Sequence, residues 1–76
     1  MKVTLDIPED FDESGYFIVR GEANGRKFAT NSLLNPFEIS CAQNPENYMK
    51  WHKECVIREA VNFTIKEIED DNARKS

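Results

Sequence analysis

The stretch Asn44–Asp71, NPENYMKWHKECVIREAVNFTIKEIEDD, decides the fold of this chain. Asn44 followed by Pro45 is a helix start. The asparagine caps free N–H groups of the first turn, and proline suits the first helical position because its missing N–H would go unused there. Glu46 adds a negative charge in the first turn, where the helix dipole favours it. No glycine or proline follows, so a helix over 45–71 is expected. At 1.5 Å per residue it would span about 40 Å, whereas a compact chain of this length has a radius of gyration of about 11 Å. The helix therefore overhangs its own domain unless it breaks near His52–Cys55.

Two apolar stripes run along it. Spaced at about 100° per residue, Tyr48, Met49, His52, Cys55 and Val56 share one side of the first half. Ile57, Ala60, Val61, Thr64, Ile65 and Ile68 share a different side of the second half, and Phe63 continues the first stripe. The expectation is a largely continuous helix whose aliphatic second stripe lies on a sheet, the first stripe being left for another chain. Tyr48, Met49, Trp51 and His52 are the expected partner-binding residues, because aromatic side chains and methionine are enriched at interfaces. A second copy of the chain, giving a homodimer, is the simplest such partner for a small fold.

The sheet is legible upstream. Lys2–Ile7 alternates Val3, Leu5 and Ile7 with polar residues, the period of a half-buried strand, and Pro8 ends it. Tyr16–Ala23 and Arg26–Leu33 flank Asn24–Gly25, a pair suited to the positive φ angles of a two-residue hairpin turn. Counting back from that turn sets Glu22 opposite Lys27, as a charge pair, and Gly21 opposite Phe28, whose ring can cover the bare glycine. Phe17, Val19, Gly21, Phe28 and Thr30 then share the core face. Asn35–Pro36 repeats the start device of Asn44–Pro45, so a short helix over 36–42 is expected, with a break before Pro45. The whole reads as a single α+β domain over 1–76: a three-stranded antiparallel β-meander (2–7, 16–23, 26–33), the short helix, and one long C-terminal helix. Residues 72–76, NARKS, are expected to fray.

Composition narrows function by exclusion. Fourteen acids against ten bases give a net charge of −4, without the basic face of a general nucleic-acid binder. The N-terminus lacks a signal-peptide core and no apolar run reaches membrane-spanning length, so the expected location is the cytoplasm. Glu9, Asp10, Asp12 and Glu13 lack the glycine and the final glutamate of an EF-hand calcium loop. His52 lies one turn from Cys55, but no oxyanion hole or orienting acid is in view. Cys41, His52 and Cys55 supply three potential zinc ligands where a structural site takes four.

No catalytic residue, metal or cofactor is therefore expected. In size and style, though in no motif, the chain is similar to accessory proteins of phages and mobile elements, which act by binding host machinery. The reading is a non-enzymatic protein-interaction module, an inhibitor or regulator of a larger protein. The alternatives are a nucleic-acid-linked regulator, either a DNA mimic or a DNA-binding dimer using Lys50, Lys53 and Arg58, and a thiol or zinc site at Cys41, His52 and Cys55.

Overall fold

A computed structural model describes residues 3–75, the side chain of Lys75 excepted. Three antiparallel strands, β1 (Val3–Asp6), β2 (Tyr16–Ala23) and β3 (Arg26–Leu33), form an open sheet in the order β1-β2-β3. The short helix α1 (Pro36–Cys41) follows, then α2 (Pro45–Lys75), 31 residues without a break. Lys2, expected to open the first strand, lies outside the described residues, as does Ser76. The strand ends at Asp6, one residue earlier than its alternation suggested. The expected frayed tail is also corrected: helix continues through residues 72–75, since nothing after Asp71 breaks it and Arg74 Nε donates to the Asp70 carbonyl one turn back.

Both asparagine–proline starts work as their chemistry requires. Asn35 Oδ1 accepts from Phe37 N at 3.0 Å, and Asn44 Oδ1 from Asn47 N at 3.2 Å. The hairpin turns at Asn24 (φ 56°) and Gly25 (φ 80°), which fixes the register: Ala23 pairs with Arg26, Glu22 with Lys27, Gly21 with Phe28 and Val19 with Thr30. Phe28 does cover Gly21, its ring standing where a Cβ would be. Glu22 and Lys27 face each other without closing an ion pair, an expectation the structure corrects. Both side chains lie toward water, where such pairs gain little. In the acidic loop, Asp12 Oδ1 accepts from the backbone N–H groups of Ser14 and Tyr16. Phe11 from that loop packs on Phe17, with ring centroids 5.6 Å apart.

α2 lies over β2 and β3 and runs antiparallel to β3. Arg26 meets Glu67, Phe28 meets Phe63, the Thr30 hydroxyl donates to the Val56 carbonyl, and Ser32 meets His52. The core is small: Phe17, Val19 and Ala23 from β2 against Val56 and Ala60 from α2. Burying side chains of this size contributes about 1.5–3 kcal/mol each for the larger ones.

The helix face on the sheet is only in part the expected one: Ala60 and Thr64 of the second stripe are buried as expected. Ile57 and Ile68 are half-buried, but Val61 and Ile65 of the aliphatic stripe are exposed. The face that packs runs through His52, Val56 and Phe63 of the first stripe, Ala60 and Thr64 of the second, and Glu67. A straight helix keeps one face down, so a stripe begun by His52 and Val56 must be carried on by the residues three and four places later. Hydropathy hides the far end of this face because Glu67 is charged. The Thr64 hydroxyl donates to the Ala60 carbonyl at 2.9 Å, and the Glu67 carboxylate meets Arg26 at 3.1 Å, so both are buried with partners.

The molecule measures 51 × 20 × 16 Å, with a radius of gyration of 15.1 Å. That exceeds the compact expectation of about 11 Å because the last turns of α2 project past the hairpin. Among the described residues, no helix is long and apolar enough to cross a membrane.

Candidate functional site

The four residues singled out from sequence occupy the first two turns of α2, beside α1 and the end of β3. Trp51 is 56% exposed on the side of the helix away from the sheet. Tyr48 and Met49 are half-buried. His52 turns inward and forms part of the packing between helix and sheet. The rings nonetheless form one cluster. Tyr48 and His52 meet edge to face at 4.6 Å between centroids, Trp51 and His52 at 5.1 Å, and Tyr48 lies 6.3 Å from Trp51. Such tilted contacts suit the ring quadrupoles and hold large side chains in few rotamers.

Two contacts hold this cluster in place. The Tyr48 hydroxyl donates to Glu38 Oε2, tying α2 to α1. That hydrogen bond, which needs the protonated phenol, pushes the Tyr48 hydroxyl above its ordinary value, and the charge of Glu38 adds to the effect. Ser32 Oγ and His52 Nδ1 share a hydrogen bond of 2.8 Å, tying α2 to β3. Phe37, on α1, is 73% exposed and adds a second open ring at the same end of the molecule.

Ser32 is the residue that sequence reasoning missed. Its place on the core face follows from the hairpin register, opposite Phe17, but a serine there gives no sign of which helix residue it meets. Helical spacing sets the imidazole beside Cys55 on its own helix, whereas its hydrogen-bond partner comes from β3. Serine beside histidine invites a catalytic reading, yet the arrangement lacks what acyl transfer needs. His52 Nε2 is buried without a hydrogen-bond partner, so no acid orients the ring, and none of the principal depressions in the surface is lined by Ser32 or His52.

The other constellations are dispersed. Cys41 and Cys55 are free thiols, the first exposed and the second half-buried. Among the described residues, no three His, Cys, Asp or Glu side chains are placed to hold a metal ion. Lys50, Lys53 and Arg58 do not form a basic strip. Lys53 Nζ lies 2.8 Å from Asp10 Oδ1 and stands over the Phe11 ring, while Arg58, five residues on, lies on a different side of α2 from Lys53.

No protein-family model matches this chain, and no curated protein or solved structure is detectably similar to it.

Proposed function

We propose that the chain is a non-enzymatic protein-binding module, an inhibitor or regulator that meets its partner through the aromatic face at the junction of α1 and α2. The observation that carries this reading is Trp51, 56% exposed and braced by the rings of Tyr48 and His52. An exposed tryptophan held in place buries a large area on binding with little further loss of freedom, which is the usual character of an interface hot spot. Phe37 is a second exposed ring, on α1, and the Tyr48–Glu38 hydrogen bond holds the two helices at a set angle. Met49, on the helix edge toward Asp10 and Lys53, lies to one side of the aromatic face.

The test is capture from an extract of the source cell by the purified chain, compared with Trp51→Asp and Phe37→Asp. Both changes fall on exposed side chains and should leave the circular dichroism spectrum unchanged. A specific partner retained by the native chain and lost from both variants is the expected result. A partner retained equally by all three places the binding surface elsewhere.

A further inference from the structure

β3 is an edge strand with a helix above it. It pairs with β2 alone among the described residues, and it is eight residues long where the other edge, β1, has four. The two-residue turn makes Ala23 and Arg26 a hydrogen-bonded pair, and bonded and non-bonded pairs then alternate along the ladder. Arg26, Phe28 and Thr30 therefore turn their backbone groups to β2, while Lys27, Ala29 and Asn31 turn theirs outward. Those outward groups have no hydrogen-bond partner among the described residues. No proline or bulge interrupts the strand, so the row is open to another strand. α1 packs on α2 past the end of β3, where Tyr48 meets Glu38.

The side chains above this edge are incompletely covered. Phe28 lies over Gly21 on its β2 side and stacks on Phe63 of α2, with centroids 4.5 Å apart, yet both rings are only half-buried. His52 and Phe63 mark the side of α2 that leans toward β3. Glu59 and Lys66, two turns apart, lie on that same side and further out. Both are exposed, and neither has an ion-pair partner among the described residues.

We propose that β3 pairs antiparallel with β3 of a second copy about a two-fold axis at Phe28, giving one continuous sheet with the two α2 helices packed side by side on it. α2 lies over β2 and β3, so across the joined edge the helices stand two strand spacings apart, about 10 Å. Two steps of sheet twist rotate one against the other by about 40–50°. That spacing and that angle are those at which helix pairs most commonly pack.

Charge agrees with this register. Phe28 meets Phe63, so an axis at Phe28 passes level with residue 63 of α2, close to the midpoint between Glu59 and Lys66. Glu59 then comes level with Lys66 of the second copy, and symmetry makes the contact twice. In the sheet Lys27 comes opposite Ala29 of the second copy, and Arg26 opposite Thr30, so no like charges meet. The Phe28 and Phe63 rings of both copies gather at the axis and cover one another's open sides. An unrelated strand would supply the backbone pairing, but neither the ion pairs nor the second pair of rings. Trp51 points away from the sheet and outside this contact, so failure of either proposal leaves the other standing.

The test is the mass of the intact chain by light scattering and sedimentation equilibrium at micromolar concentration. The native chain is expected at twice the 8.8 kDa chain mass. Ala29→Pro removes an outward N–H that no other described group uses, and edge positions of this kind accept proline. It should give the single-chain mass with an unchanged circular dichroism spectrum. Glu59→Lys alone and Lys66→Glu alone should each weaken dimerisation about tenfold, and the two together should restore it. Trp51→Asp should leave the dimer intact. A monomeric native chain overturns the proposal, as does a dimer that survives Ala29→Pro or that Trp51→Asp dissociates. Should Ala29→Pro fail to fold, the charge exchange decides: a double variant no tighter than the single ones overturns it.

Discussion

Arg26 Nη1 lies 3.1 Å from Glu67 Oε1, and this ion pair fastens the hairpin to the sheet-facing side of α2. The same glutamate is held at its backbone, where its carbonyl accepts from Asn24 Nδ2 at 2.8 Å. Glu67 is 5% exposed while the arginine reaches into water. Arg26→Ala leaves a buried carboxylate without its cation and should destabilise the fold by about 1–2 kcal/mol, less than for a wholly buried pair. Glu67→Gln, which removes the charge along with the need for its partner, should be milder. Urea denaturation of both single variants and the double variant measures the coupling. Additive effects would show that the pair contributes nothing specific.

Gly21→Ala should also destabilise, by about 1–3 kcal/mol. A Cβ at that position would stand 2.3 Å from Phe28 Cζ and 2.9 Å from Leu5 Cδ2. The Phe28 ring cannot swing away freely, because Phe63 stacks on it. Phe28→Leu in the same chain should recover part of the loss. A fully stable Gly21→Ala variant would mean that the ring has another place to go.

Ala60 and Val61 are neighbours with opposite fates. Ala60→Asp puts an unpaired carboxylate between α2 and β2, where Ala60 is fully buried, and should abolish folding. Val61→Asp falls on a residue 37% exposed and should keep the helical circular dichroism signal. Loss of the fold in Val61→Asp, with Ala60→Asp intact, would restore the aliphatic stripe as the core face.

Asp10 predicts a pH dependence. The hydrogen bond from Lys53, then that from the Phe11 N–H, holds its carboxyl below the ordinary value of 3.8. A lowered folded value means the contact stabilises the fold above the unfolded value and loses that contribution as pH falls through the folded one. NMR titration of the Asp10 carboxyl should show the lowering, and Lys53→Met should move it back toward 3.8. A titration that Lys53→Met leaves unchanged would assign the effect to the backbone alone.

Sequence alone determined what local chemistry controls. Asn24–Gly25 set the hairpin and, by counting, the register that brings Phe28 over Gly21. The two asparagine–proline pairs marked both helix starts, and the absence of any later breaker made α2 continuous. Only the tertiary structure decided which face of that helix meets the sheet, because the answer depends on partners distant in the chain. Glu67 is buried on account of Arg26 and Asn24, and His52 turns inward to Ser32. Hydropathy counts Val61 and Ile65 as core and Glu67 as surface. Packing reverses both, since a straight helix keeps a single face on the sheet and a buried polar group is tolerated wherever its hydrogen bonds are met.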